Sequence, residues 1–264
     1  MSETARRGTE GTTDIQAVTR ASQILALFRP GRPHLTVASA ALELGLNRTT
    51  THRYFATLVS AGMLERGRDG QTYGPGGLLV QLGTFALGRR AVVDLAPAHL
   101  AGLARRTGLS AALSLWGSAG PVVARVEEDS TNTVVVSVRV GHQLPVDSAQ
   151  NQVFLAFMGD RARASRILDE DDDDGGDLAR RVTRVRRTGL ATTHLADSDI
   201  TAAGAPVFDE SGLCATIALI GTARTLPVPE APAAFRALAG TALALGRELG
   251  GERHYPDGFG AGPP

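Results

Sequence analysis

Residues 44–64 read LGLNRTTTHRYFATLVSAGML, and this stretch decides the fold of the N-terminal part of the chain. Asn47 is a good helix N-cap, because its side-chain oxygen can accept a hydrogen bond from a backbone N–H of the first turn. Gly62 suits the end of the helix, where a left-handed backbone is common. At about 100° per residue, one side of the helix is expected to pack inward through Thr51, Phe55, Leu58 and Val59. The outward side is small, polar and free of acids, and it carries Thr49, Thr50, Arg53, Ala56, Thr57 and Ser60.

The flanking sequence supplies the other elements of a winged helix-turn-helix. Residues 15–28 have apolar side chains at helical spacing, and Thr36 is a candidate N-cap for a second helix that ends near Gly45. After Gly62, the strand-like pieces MLERG and QTYG flank a turn at 68–70. Small hydroxyl side chains and one arginine suit a helix that enters the major groove, because Arg53 can donate two parallel hydrogen bonds to guanine or phosphate.

The composition limits the chemistry of the chain. Of its 264 residues, 27 are basic and 27 acidic, and every basic residue is arginine. Without lysine there is no Schiff base and no P-loop, and a single cysteine makes neither a disulfide framework nor a cysteine-based metal site. Residues 1–92 carry a net charge of +5 and the remainder −5. This split favours a polyanion as the partner of the N-terminal half.

The pattern along the chain predicts five regions and an α+β fold. They are a disordered tail (1–14), a winged helix-turn-helix (15–75), a linker helix (76–92), an effector and oligomerisation domain (93–250) and a disordered tail (251–264). In the fourth region we predict strands at 112–117, 121–128, 133–140, 200–208 and 213–221. Helices are predicted there at 94–107, 149–158, 160–168, 176–188 and 230–249. The polar start is unlike a signal peptide and no apolar run is long enough to cross a membrane, so we expect a cytoplasmic protein.

The chain resembles the IclR-type bacterial transcriptional regulators. The most specific part of the resemblance is LGLNRTTTHRYFATLVSAGML, and the Gly-Pro at 74–75 before a leucine-rich helix also matches. Weaker similarity lies in GHQLPVDSAQNQVFLAF and in RRTGLATT followed by ITAAGAPVFDESGLCATIALIG. Together these segments extend the resemblance over about residues 20–249.

The resemblance implies a winged helix-turn-helix, a linker helix and a GAF-like α/β effector domain with a curved antiparallel sheet. It implies a homodimer or homotetramer that binds double-stranded operator DNA and responds to a small-molecule effector, without a cofactor or metal. Carried over position by position, the DNA-contacting residues are Thr36, Arg48, Thr49, Thr50, His52 and Arg53, with Arg66 and Arg68 in the wing. For His52, a buried or backbone-bonded role is the alternative.

The candidate effector site lies in the C-terminal half. Its predicted residues are Ser114, Trp116, Ala124, Gln150, Asn151, Ala202, Cys214, Thr216 and Ala218. Side chains alternate along a strand, so positions 214, 216 and 218 are expected on one face. A structural role in the core is the alternative for Trp116 and Cys214.

Two departures from the family pattern bear on the effector. The family's His-x-Thr-x-x-Gly-Lys run is replaced by residues 147–153, with Asp147 in place of the histidine, and two positions that often carry serine are Ala218 and Ile220. These changes argue against a small organic acid and favour an apolar or aromatic effector. The alternative is a degenerate, ligand-free domain on a constitutive DNA-binding regulator.

An enzyme is the remote alternative. Cys214 and His194 could pair as nucleophile and base of a hydrolase. Cys214 lies in the apolar run LCATIALI, however, where a thiol is usually inert, and the sequence has no Gly-x-Ser-x-Gly. We therefore expect no catalytic residues.

Overall fold

A computed structural model describes residues 15–129, 135–170, 176–195, 199–228 and 230–260. The chain divides into two compact units, Met1–Phe85 and Ala86–Pro264. The predicted disordered tail at 1–14 lies outside the described residues.

The N-terminal unit is a winged helix-turn-helix. Its elements are α1 (Gln16–Leu25), β1 (Leu35–Thr36), α2 (Val37–Glu43), α3 (Arg48–Ser60), β2 (Leu64–Arg66) and β3 (Thr72–Pro75), and the strands form an antiparallel sheet in the order β1-β3-β2. Both predicted caps are present: Thr36 accepts from the Ser39 N–H in a capping box, and Asn47 accepts from the Thr49 N–H. Gly62 has a φ of +70° at the end of α3, as that position requires.

The core of this unit lies between α3, the two preceding helices and the sheet. Phe55 is fully buried, and its ring meets the Tyr73 ring edge to face with 4.8 Å between centroids. Ile24, Leu35 and Leu64 complete the cluster. The inward face predicted for α3 is confirmed at Thr51, Phe55 and Leu58, which are buried.

The helix α4 (Gly77–Gly88) has no buried residue, although it is strongly apolar. Its exposed apolar side chains are Val80, Leu82, Phe85 and Leu87. A helix that is hydrophobic all round is normally covered.

The C-terminal unit is a sheet covered on both faces. Its elements are α5 (Ala91–Thr107), β4 (Ser110–Trp116), β5 (Pro121–Glu127), α6 (Ala149–Phe157), α7 (Arg161–Glu170), α8 (Asp177–Thr188), β6 (Ala191–Leu195), β7 (Ile200–Asp209), β8 (Gly212–Thr222) and α9 (Pro232–Glu248). The antiparallel strands are ordered β5-β4-β8-β7-β6. The helices α5 and α9 pack on one face around a core with Leu113, Ile217 and Phe235. The other face carries α6.

One strand prediction is corrected in this unit, and one strand was missed. The strand predicted at 133–140 is absent over residues 135–140, and residues 133–134 lie outside the described part of the chain. In its place, the Val123 N–H donates to the carbonyl of His142, and the Gly141 N–H donates to the carbonyl of Val123. The strand β6 was not predicted, because its sequence ATTHL lacks an apolar alternation and its pairing with β7 defines it.

The C-terminal segment also differs from the sequence-based prediction of a disordered tail at 251–264. Residues 251–260 are ordered against the C-terminal unit, and residues 261–264 lie outside the described range. The Tyr255 hydroxyl donates to the carbonyl of Ala242 at 2.6 Å, and its ring packs against Phe259 with 4.7 Å between centroids. The prediction was based on the glycine- and proline-rich composition, which gives no sign that Tyr255 and Phe259 pack against the unit. Among the described residues, no helix is long and apolar enough to cross a membrane.

Candidate nucleic-acid interface and ligand cavity

One face of α3 is the candidate nucleic-acid interface. Arg48, Thr49, Thr50, His52 and Arg53 are all exposed there. In the described part of the chain, no carboxylate lies within ion-pair distance of Arg48 or Arg53. The exposure of His52 leaves it available for contact. The face therefore presents hydroxyls and guanidinium groups to solvent.

The predicted contact Thr36 lies at the start of α2. Its side chain is half-buried, and its Oγ1 accepts from the Ser39 N–H at 3.1 Å. The residue therefore has a capping role in this structure, while its hydroxyl proton can still be donated.

The wing is the hairpin of β2 and β3. Arg68 is exposed in its turn, and the Arg66 guanidinium donates to the Tyr73 hydroxyl at 3.0 Å. Asp69 fixes the turn, because its carboxylate accepts from the N–H groups of Thr72 and Gln71. Those bonds, with the Thr72 hydroxyl, lower the pKa of Asp69. The wing therefore carries Arg66 on β2, bonded to Tyr73, and Arg68 in the turn that Asp69 holds.

A cavity of about 80 Å³ lies at the start of α6, between the loop that precedes it and the ends of β6, β7 and β8. Two predicted effector residues, Gln150 and Ala202, line this cavity. Ser114, Thr216 and Ala218 do not line it, although Gln150 Nε2 donates to Thr216 Oγ1 at 3.2 Å. Two of the nine predicted effector residues therefore line this cavity, and the other seven do not.

Trp116 and Asn151 lie outside the cavity lining. The Trp116 ring packs against Phe154 with 5.2 Å between centroids, and Arg163 lies over it at 5.2 Å. Asn151 Nδ2 donates to the carbonyl of Val146 at 2.5 Å, which fixes the loop before α6. Both side chains have structural contacts here.

The placement of Ala124 and Cys214 is corrected. Both pack against the core under α5 and α9, on the face opposite α6. For Cys214 the cause is an irregularity: Val207 pairs with Ala215 and Phe208 with Leu213, so Cys214 bulges out of the ladder. Positions 214 and 216 therefore do not share a face.

The sequence reasoning missed several lining residues. They are apolar and come from the loop and from three strands: Val138, Leu144, Leu195, Ile200 and Ile220. Ile220 had been noted only as a departure from the family pattern. Val138 was missed because its segment was predicted to be a strand, and Leu195 because β6 was not predicted. Leu144 and Ile200 lie in the loop before α6 and at the start of the predicted strand at 200–208, and the sequence reasoning assigned neither to the site.

The sheet register places Cys214 and His194 too far apart to form a catalytic pair. His194 pairs with Thr201 and Thr201 with Gly221. Gly221 is seven residues from Cys214 along β8, or about 23 Å at about 3.3 Å per residue. The Cys214 thiol donates to the carbonyl of Val207, and burial raises its pKa to about 12.

We expect Cys214 to be unreactive in the folded chain. A pKa of about 12 leaves little thiolate at pH 8, so disulfide exchange with a chromogenic reagent should be about a thousandfold slower than for a free thiol. The same chain in guanidinium chloride is the control, and one thiol should react there at the ordinary rate. Rapid reaction of the folded chain would contradict the partly buried, hydrogen-bonded position of the thiol.

Comparison with known proteins finds similarity to IclR-type regulators in part of the chain. Residues 17–68 match the IclR helix-turn-helix domain. Over 148 residues the chain is 30% identical to the HTH-type transcriptional regulator XynR of Escherichia coli K12. The chain therefore carries, in its N-terminal unit, a segment similar to the IclR helix-turn-helix domain.

The match with XynR spans 55% of this chain and 58% of XynR, so a little over half of each protein is compared. An IclR transcriptional regulator from Alicyclobacillus acidocaldarius is 25% identical, with a TM-score of 0.69 over 90% of this chain and 100% of that one. An IclR homologue from Microbacterium hydrocarbonoxydans, solved with 4-hydroxybenzoate, is 21% identical, with a TM-score of 0.68 over 88% and 98% of the two chains. These IclR structures share the fold of both units.

Proposed function

We propose that this chain binds operator DNA sequence-specifically, with α3 in the major groove and the wing on the backbone. The acid-free exposed face of α3 carries this proposal. Arg53 is the candidate base reader, with Arg48, Thr49, Thr50, His52 and Thr36 around it, and Arg66 and Arg68 contact phosphates. Since the chain has no lysine, arginines make the ionic contacts, and bidentate guanidinium geometry suits both phosphate and guanine.

The experiment is selection of bound duplexes from a random pool, followed by binding measurements on the selected site. A symmetric site with half-sites about one or two helical turns apart is expected for a dimer. Affinity should fall steeply with salt because bound phosphates release counterions. Failure to enrich any sequence would refute sequence-specific binding.

The prediction for Arg53→Ala is a loss of about 1–3 kcal/mol in operator affinity, with relaxed discrimination at one base pair. The reason is the loss of a bidentate contact to one base. Fluorescence anisotropy on the selected site and on its single-base variants measures both effects. Arg236→Ala is the charge-matched control, since Arg236 is exposed on α9 in the other unit. Equal binding by Arg53→Ala and Arg236→Ala would refute the placing of the recognition helix.

We propose that α4 joins two copies into a homodimer. Four of its apolar side chains are exposed, with exposed fractions of 64% for Val80, 52% for Leu82, 63% for Phe85 and 41% for Leu87. A second copy of the same helix would cover them, and two copies would match a symmetric operator. A tetramer would need a further contact between effector domains.

We propose that residues 93–250 form the effector domain and that a small molecule bound in the cavity beside α6 modulates operator binding, in a protein that acts in the cytoplasm. The Microbacterium hydrocarbonoxydans homologue with 4-hydroxybenzoate supports a ligand in this fold. A coupling of about 1–3 kcal/mol would change operator affinity about 5- to 150-fold.

The second candidate function is constitutive DNA binding with a ligand-free C-terminal domain. The small volume of the cavity, about 80 Å³, favours it, because known ligand pockets measure about 300–1,000 Å³. Thermal unfolding against a metabolite panel separates the two candidates, since a ligand of the folded state raises the midpoint.

A further inference from the structure

The charge of the cavity lining bears on whether a carboxylate can bind in the cavity. Among the described residues that line it, none is Arg, Lys or His, and the one ionisable residue is the acid Asp147. Arg139 and His194 are sequence neighbours of lining residues, but both are exposed and neither lines the cavity. A carboxylate would therefore lose its hydration without gaining a cation, which is strongly unfavourable.

The polar side chains of the lining donate their hydrogen bonds to groups of the protein. Ser148 Oγ donates to the carbonyl of Pro145 at 2.7 Å, and Thr193 Oγ1 donates to the carbonyl of Asp147 at 2.9 Å. Gln150 Nε2 is engaged with Thr216. A bound anion would have to break these bonds to be solvated.

The N-terminus of α6 is only partly open to a ligand. Ser148 Oγ accepts from the Asn151 N–H, so one of the first-turn N–H groups is already bonded. The first turn also lies directly on β7: a β-carbon at Gly204 would come within 3.3 Å of the Gln150 nitrogen. This close approach leaves no space for a carboxylate between the helix and the strand.

The remaining surface is apolar, with Val138, Leu144, Leu195, Ile200, Ala202 and Ile220. We propose that this cavity binds a compact, neutral, largely apolar molecule and rejects the corresponding carboxylate. The inference rests on the proposed effector site, but it is tested by ligand binding alone. Its volume, about 80 Å³, is below the roughly 150 Å³ of a cavity that admits benzene, so a ring enters only if the cavity walls move apart.

The test compares phenol with 4-hydroxybenzoate, which differ by one carboxylate. For the full chain at pH 7.5, phenol at ten times its Kd should raise Tm by about 3–6 °C. Calorimetric titration should show at least a tenfold weaker affinity for 4-hydroxybenzoate. Equal or tighter binding of 4-hydroxybenzoate, or no binding of either compound, would overturn the inference.

Two positions tie the result to this cavity. Ala202→Leu fills it and should abolish the phenol shift in a chain that still unfolds cooperatively; unchanged phenol affinity would place phenol elsewhere and overturn the assignment. Leu195→Arg adds a cation at the exposed rim and should raise the affinity for 4-hydroxybenzoate at least tenfold, whereas Leu195→Gln, its uncharged control, should not. A null result with Leu195→Arg would show that charge does not decide the specificity.

Operator binding is measured separately on the same variants. A chain that binds phenol but enriches no DNA sequence would retain the ligand site and lose the proposed regulatory function. A chain that binds its operator but neither compound would keep the proposed DNA binding and overturn the ligand inference.

Discussion

Phe55→Ala is expected to lower the free energy of unfolding of the N-terminal unit by about 3–5 kcal/mol. Phe55 is fully buried, and its ring meets Tyr73 across the interface between α3 and the wing. Truncation leaves a cavity that the surrounding helices and sheet cannot fill. Because a small unit has only about 5–15 kcal/mol of stability, operator binding should be lost as the unit unfolds.

Two optical signals separate the units in this measurement. The single tryptophan, Trp116, lies in β4 of the C-terminal unit, so its fluorescence reports that unit alone. Far-ultraviolet circular dichroism reports both units, and the variant should show an early loss of helix with unchanged tryptophan emission. Phe55→Leu is the control and should cost less than about 1.5 kcal/mol. A loss below about 1 kcal/mol for Phe55→Ala would mean that α3 is packed differently.

The double variant Leu82→Glu, Phe85→Glu is expected to convert the proposed dimer into a monomer. Two charges on the apolar helix α4 would have to be buried without partners, which costs several kcal/mol per ion. Sedimentation should show the mass of one chain, and affinity for a two-half-site operator should fall by about 100-fold or more, since the second half-site no longer benefits from linkage.

The matched control places the same two charges elsewhere on α4. Gln81→Glu, Thr84→Glu changes exposed polar residues between the apolar ones, and it should keep the dimer. Equal dissociation of both double variants would point to general repulsion instead of an apolar contact. A dimer that persists in the first variant would exclude α4 as the joining element.

The N-terminal unit could be read from the sequence because its signals are local. Asn47 and Thr36 cap helices through bonds within three residues, and the inward side of α3 follows from a fixed angle per residue. Local geometry also fixes the wing turn, where Asp69 binds the next residues of the chain.

The ligand cavity could not be read in the same way. Whether Cys214 or Ala124 faces α6 depends on irregularities in the strand registers, and these are set by partners far along the chain. The β-branched run at 133–140 has high strand propensity, yet residues 135–140 form no ladder. Strand propensity describes how well a segment suits a sheet, and whether the segment joins the sheet depends on its neighbouring strands.

The two-residue strand β1 fixes the spacing of α2, α3 and the wing, the parts that we propose contact DNA. Thr36 pairs with Thr72, so the first residue of the α2 cap is bonded to the wing across 36 positions of sequence. Sheet hydrogen bonds and the Phe55–Tyr73 contact hold α3, the wing and the first residue of α2 at a fixed spacing. With the proposed DNA binding, an operator half-site has to fit this fixed spacing of groove and flanking phosphates. Sequences that bend easily into that fit are then expected to bind more tightly, even at base pairs that no side chain touches.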